Sequence, residues 1–110
     1  MARVLIYESN LFWGARLLQT AKLLGHETQR VSHLDPLPAD IAIINLSDPE
    51  NKLKPLVESL RTQGTYIIGH AGHKERPLLE MGNTLGVHRV ATNSEVTHKL
   101  DALLAAAQSC

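Results

Sequence analysis

Three short apolar runs constrain this chain more than anything else in it: "RVLIY" (Arg3 to Tyr7), "IAIIN" (Ile41 to Asn45) and "TYIIG" (Thr65 to Gly69). They are rich in β-branched residues and lack polar alternation, as strands covered on both faces of a parallel sheet do. Helical spacing fills the gaps between them. Leu11, Ala15, Leu18, Ala21 and Leu24 recur at helical intervals, with Gly25 as the stop. Leu53, Leu56, Val57 and Leu60 form a second stripe ending at Gly64. Pro55 fits only the first turn of such a helix, which places its start near Leu53.

The remaining segments read less sharply. "ETQRV" is a polar strand suited to an edge, and "SHLDPLPAD", with two prolines, is a loop. "RPLLEMG" predicts a short helix closed by Gly82, and "VHRVA" a weaker fifth strand. Asn93 or Ser94 is expected to cap a last helix whose apolar face is Val96, Leu100, Leu103, Leu104 and Ala107. This alternation predicts one α/β domain over residues 1–110, with right-handed crossovers. Five strands suggest a flavodoxin-like three-layer sandwich, its parallel sheet in the order 2-1-3-4-5. The crevice of that fold lies at the C-terminal ends of the first and third strands, which brings Glu8, Ser9 and Asn45 together with His70 nearby.

Composition narrows the function classes. Eleven basic and eleven acidic residues cancel, so charge offers no argument for a nucleic-acid or anionic membrane partner. The 44% apolar and 20% charged fractions are those of an ordinary soluble globular chain. The one cysteine, Cys110, provides neither a disulfide framework nor a metal cluster, and the opening "MARVLIYESN" lacks signal-peptide features. A cytoplasmic protein is the expectation. GxGxxG, GxxxxGK[ST] and GxSxG patterns are absent, so no nucleotide cradle or hydrolase elbow is predicted, nor any cofactor. Of six histidines, His70 and His73 stand three apart in "GHAGH", but no ligand spacing typical of zinc accompanies them, and no metal site is expected. His26 is expected at the exit of the first helix, and His33 and His98 at the surface.

Along most of its length the chain resembles the receiver domain of response regulators. "VLIYESN" is similar to that family's first strand and the acidic pair after it, and "LLQTAKLLGHE" to its first helix and exit. "DIAIINLSDPENKLKPLVESLR" resembles the phosphoacceptor strand, its following proline and the third helix. "YIIGHAG" resembles the fourth strand, and "LLEMGN" followed by "VHRVA" the fourth helix and fifth strand. The resemblance implies transfer of a phosphoryl group to an aspartate, with Mg²⁺ held by neighbouring acids and the product bound by a Thr/Ser and a Lys.

The residues depart from that set. The acidic pair is Glu8 and Ser9, the phosphoacceptor position is Asn45, the Thr/Ser position is His70, and the Lys position falls at Ala91 or Thr92. Asp48 reads as a turn or N-cap acid before Pro49, not as a relocated acceptor. The segment between the second and third strands is too short for the family's second helix, so that helix is expected to be missing. Leu34 and Leu37 folding back, or a second copy in a homodimer, would then cover the exposed sheet face. Trp13 reads either as packed against a neighbouring loop or as an interface anchor.

The leading expectation is a regulatory domain acting through a protein partner, without phosphorylation and without enzymatic activity. Its contact surface would be the fourth-helix to fifth-strand region or the face left by the missing helix. The alternative is a small enzyme or ligand-binding protein using the crevice through Glu8, Asn45 and His70. A receiver phosphorylated at another position is a third.

Overall fold

In the computed structural model, which describes residues 2–109, the three apolar runs are the central strands of one parallel sheet. The strands are β1 (Arg3–Tyr7), β2 (Glu27–Val31), β3 (Ile41–Asn45), β4 (Tyr66–Ala71) and β5 (Arg89–Thr92), in the spatial order β2-β1-β3-β4-β5. The helices are α1 (Leu11–Leu23), α2 (Glu50–Thr62), α3 (Arg76–Leu85), α4 (Asn93–His98) and α5 (Leu100–Gln108). This is the flavodoxin-like arrangement that the alternation predicts.

Each central strand feeds two cores. Val4, Ile6, Ile41, Ile43 and Ile68 point to one face and pack with Leu17, Ala21, Val96, Leu100, Leu103 and Leu104 of α1, α4 and α5. Leu5, Tyr7, Ala42, Ile44 and Ile67 point to the other, against Leu53, Leu56, Val57 and Leu60 of α2. Period-two alternation on a doubly covered strand makes both sets apolar, which is why the runs lack polar interruptions.

Residues 32–40, between β2 and β3, contain no helix. They form a strap whose Leu34, Leu37 and Ala39 are partly buried against the α2 face of the sheet. Of the two covers expected for that face, the loop is the one seen. Tyr7 fastens it: its hydroxyl donates to the Asp35 carbonyl at 2.7 Å and accepts from the Leu37 amide at 3.2 Å.

Several boundaries differ from the sequence reading. α1 is rotated relative to the expected stripe: Gly14, Leu17 and Ala21 are its buried residues, and Leu11 and Ala15 are exposed. Gly14 faces β2: a Cβ there would lie 2.5 Å from Arg30 Nε, so glycine leaves room for the arginine to lie across the helix. α2 begins at Glu50, so Pro55 sits in its second turn, where it withholds one amide from the solvent-exposed Asn51. Pro49 is the N-cap residue and Asp48 lies in the turn before it, without capping the helix. α3 runs through Gly82 to its left-handed stop at Gly86 (φ 90°). Thr92, not Asn93 or Ser94, caps α4, in a reciprocal capping box with Glu95. The last helix is broken at Lys99 into α4 and α5.

Candidate functional site

In a parallel sheet the C-terminal strand ends emerge together, and the residues ending β1, β3 and β4 meet here on the α1 side. Asn45 pairs in register with His70, and Glu8 follows directly after Tyr7. Asn45 Nδ2 donates to both Glu8 carboxylate oxygens, at 2.9 and 3.1 Å, and the Asn10 amide donates to Glu8 Oε2 at 3.2 Å. The other end of the Asn45 side chain is also occupied. Its Oδ1 accepts from the Ser47 amide at 2.9 Å and the Ser47 hydroxyl at 2.7 Å. Glu8 is 3% exposed, so these bonds replace the water that a buried carboxylate would otherwise lose.

His70 lies beside this pair and is 1% exposed. Its Nδ1 stands 2.8 Å from Asn93 Oδ1, at the start of α4, and donates to it when it carries the proton. Nε2 then faces Glu8 Oε1 across 3.8 Å, too long for a hydrogen bond, and has no partner. Trp13 of α1 partly covers the imidazole, the ring centres 6.3 Å apart. Ser9 is exposed; its carbonyl and that of Glu8 accept from the Arg30 guanidinium.

Three of the four predicted pocket residues therefore share one cluster, Glu8 and His70 buried and Asn45 half-buried, and Ser9 contributes only its backbone. Asn93, Trp13, Ser47 and Arg30 complete the surroundings without having been singled out as pocket residues. The interface candidates Trp13, Leu34 and Leu37 are each partly buried against the cores. His26 receives a hydrogen bond from the Ala2 amide, tying the exit of α1 to the start of β1. His33 is exposed and pairs with Asp35 at 2.9 Å; His98 is exposed at the end of α4. Among the described residues no group of three His, Cys, Asp or Glu side chains is placed to hold a metal ion, and no helix is long and apolar enough to cross a membrane.

Burial pushes the His70 pKa below the ordinary 6.5, against the opposing pull of the Asn93 hydrogen bond and the Glu8 carboxylate. The folded protein thus resists protonating this ring while the unfolded chain takes up the proton below pH 6.5. Stability is expected to be fully present above that pH and to fall as the pH drops below it, by at most about 1.4 kcal/mol per pH unit from this group. The check is the urea midpoint from neutral pH down to about pH 5, for the native chain and for His70→Gln. A flatter profile in the variant is expected; parallel profiles would assign the acid sensitivity elsewhere.

Neither a protein-family model nor a curated protein matches the sequence. Solved structures do resemble the fold. A response regulator receiver protein from Burkholderia phymatum superimposes with a TM-score of 0.82 at 11% identity, covering 97% of this chain and 94% of that one. The chemotaxis response regulator CheY4 of Vibrio cholerae gives 0.79 at 16% identity over 97% and 98% of the two chains. The inactive regulatory domain of the repressor of iron transport regulator gives 0.75 at 12% identity over 96% and 97%. Through its strand order, its crossovers and these superpositions, the chain has the fold of a response-regulator receiver domain.

Proposed function

We propose that this chain is a receiver-like regulatory domain that works by protein contact and does not accept a phosphoryl group at its third strand. The observation that carries this reading is the state of Asn45. It occupies the last position of β3, where the resemblance puts the phosphoacceptor, and both ends of its amide are engaged, by Glu8 and by Ser47. An amide nitrogen delocalised into its carbonyl is a poor nucleophile, and a neutral side chain adds no charge for Mg²⁺. The remaining helpers point the same way: His70 is tied to Asn93, and Thr92 is committed to capping α4.

The crevice reading, in which Glu8 and His70 serve a small substrate, is less well supported. Both side chains are shut from solvent, and Trp13 lies against the imidazole.

Incubation with Mg²⁺ and acetyl phosphate, followed by intact mass measurement, tests the proposal. The expected result is an unchanged mass under conditions that phosphorylate an aspartate-bearing receiver. An acyl phosphate localised to residues 45–48 would overturn it.

A further inference from the structure

A line of polar contacts crosses the strand ends from the corner of α1 to the start of α4, with one break in it. At one end the amide of Asn10, the N-cap residue of α1, donates to Glu8 Oε2. At the other, His70 Nδ1 stands 2.8 Å from Oδ1 of Asn93, the first residue of α4. The break is the 3.8 Å between His70 Nε2 and Glu8 Oε1. Among the described residues, the buried side-chain polar atoms without a partner are Thr28 Oγ1 and His70 Nε2. For the histidine, the proton count explains it. The two groups facing the ring, a carboxylate and an amide oxygen, are both acceptors, and a neutral imidazole has one N–H. Whichever nitrogen holds that proton, the other turns a lone pair toward an oxygen. An imidazolium has two N–H groups and satisfies both. Its charge also answers that of Glu8, a buried carboxylate whose present donors, Asn45 and the Asn10 amide, are neutral.

We infer that His70 is a proton-operated latch between α1 and α4: one proton taken up by the ring makes Nε2 a donor to Glu8 and completes the line. The gap closes by about 1 Å, to the ~2.8 Å of a charge-assisted bond, and draws Asn10 and Asn93 together through the groups that hold them. α4 follows directly on β5, so mild acid resets an element bordering the α3–β5 surface expected to meet a partner. Burial, with Trp13 against the ring, sets the closing pH below the ordinary 6.5. The acid that meets the ring is Glu8 of β1. The Arg30 guanidinium of β2 donates to the carbonyls of Glu8 and Ser9. Glu95 of α4 is committed to the Thr92 amide and to Arg89, and His73, Lys74, Glu75 and Arg76, past the end of β4, are exposed. β3 and α1 turn Asn45 and Trp13 to the cluster, neither of which titrates. The latch rests on the protein-contact reading for its use and not for its chemistry. A phosphorylated chain would sink that reading and leave the titration below unmoved; a ring that never titrates would sink the latch and leave the mass unchanged.

The test is an NMR titration of the full chain, without phosphodonor, from neutral pH to about pH 5. Isotope-labelled histidine reports the ring nitrogens, and the backbone amides of Asn10 and Asn93 are followed in the same samples. His70, identified by the signal missing in His70→Gln, is expected to titrate below pH 6.5 while the chain stays folded. Both amides are expected to shift with its midpoint, and to stay still in His70→Gln. Glu8→Gln removes the anion and keeps an acceptor oxygen at the gap. It is expected to lower the midpoint by at least about one pH unit, a tenfold weaker hold on the proton. A ring still neutral at about pH 5, or neutral until the chain unfolds, overturns the latch. So do amides that ignore the titration, or a midpoint that Glu8→Gln leaves in place. The first two readings need no change at Glu8 and decide the matter even where that variant does not fold.

Discussion

Replacing Asn45 with aspartate is expected to destabilise the protein at pH 7 by about 2–4 kcal/mol rather than restore a working site. The substitution removes the two amide donors that hold Glu8 at 2.9 and 3.1 Å and puts a second carboxylate in their place. His70 beside Glu8 is held toward its neutral form by burial, so its imidazole supplies no charge in place of the lost donors. Two adjacent carboxylates, one buried and one half-buried, cannot both ionise freely, and one of them has its pKa raised. A raised carboxyl pKa in the folded state means that its stabilising proton is present at low pH and lost as the pH rises through that pKa. The penalty of Asn45→Asp should therefore shrink between pH 7 and pH 5. Millimolar Mg²⁺ should reduce it as well, since two carboxylates give the hard cation what one carboxylate and an amide do not. Urea titrations at both pH values, with and without Mg²⁺, would show this. A variant as stable as the native chain at pH 7, with no response to Mg²⁺, would mean that the cluster is wetter and looser than its hydrogen bonds indicate.

The second large effect lies one residue further along. Leu46 is fully buried where β3 ends, its amide bonded to the His70 carbonyl at 2.9 Å. Its side chain fits between two glycines. A Cβ on Gly69 of β4 would lie 3.0 Å from Leu46 Cδ2, and one on Gly82 of α3 would lie 2.9 Å from Leu46 Cδ1. The walls of this slot are partly backbone and cannot swing inward to refill it. Leu46→Ala is thus expected near the upper end of the usual range for such truncations, about 3–5 kcal/mol, a large part of a small domain's total stability. Adding Gly82→Ala to Leu46→Ala returns some volume to the slot. The double variant should be more stable than the sum of the single effects predicts, by at least about 1 kcal/mol. Denaturant midpoints of the three variants decide it; a loss below 1.5 kcal/mol for Leu46→Ala, or strict additivity, would show that the slot collapses.

Leu46 also marks where the sequence stops being legible. The strands could be read because burial on both faces leaves an uninterrupted apolar run, and parallel pairing then aligns the strand ends. That alignment alone brings Glu8, Asn45 and His70 to one end of the sheet. The rotation of α1 is not legible, since Leu17 and Leu18 are adjacent and either can anchor a stripe, and the buried face includes Gly14, which meets Arg30 from a strand distant in sequence. Gly82 reads as a helix stop because a close approach and a positive φ leave the same letter, and the positive φ is at Gly86. Asn93 reaches His70 only because Thr92 ends the strand with a cap, a detail settled by the capping box and not by apolar spacing. Pro55 misplaced the start of α2 because its missing hydrogen bond falls on a carbonyl that water can reach.

The strap over the second sheet face imposes an uneven pattern of mutational tolerance. Nine residues without a backbone ladder are positioned by a few points of attachment, among them the inward side chains of Leu34, Leu37 and Ala39 and the Tyr7 hydroxyl. That hydroxyl needs a carbonyl at position 35 and an amide at position 37, which any residue but proline at 37 provides. Drift along this segment is therefore free at His33 and Pro36 and closed to changes of length between 35 and 37. A lineage of such chains would keep the spacing of its strap long after losing its spelling.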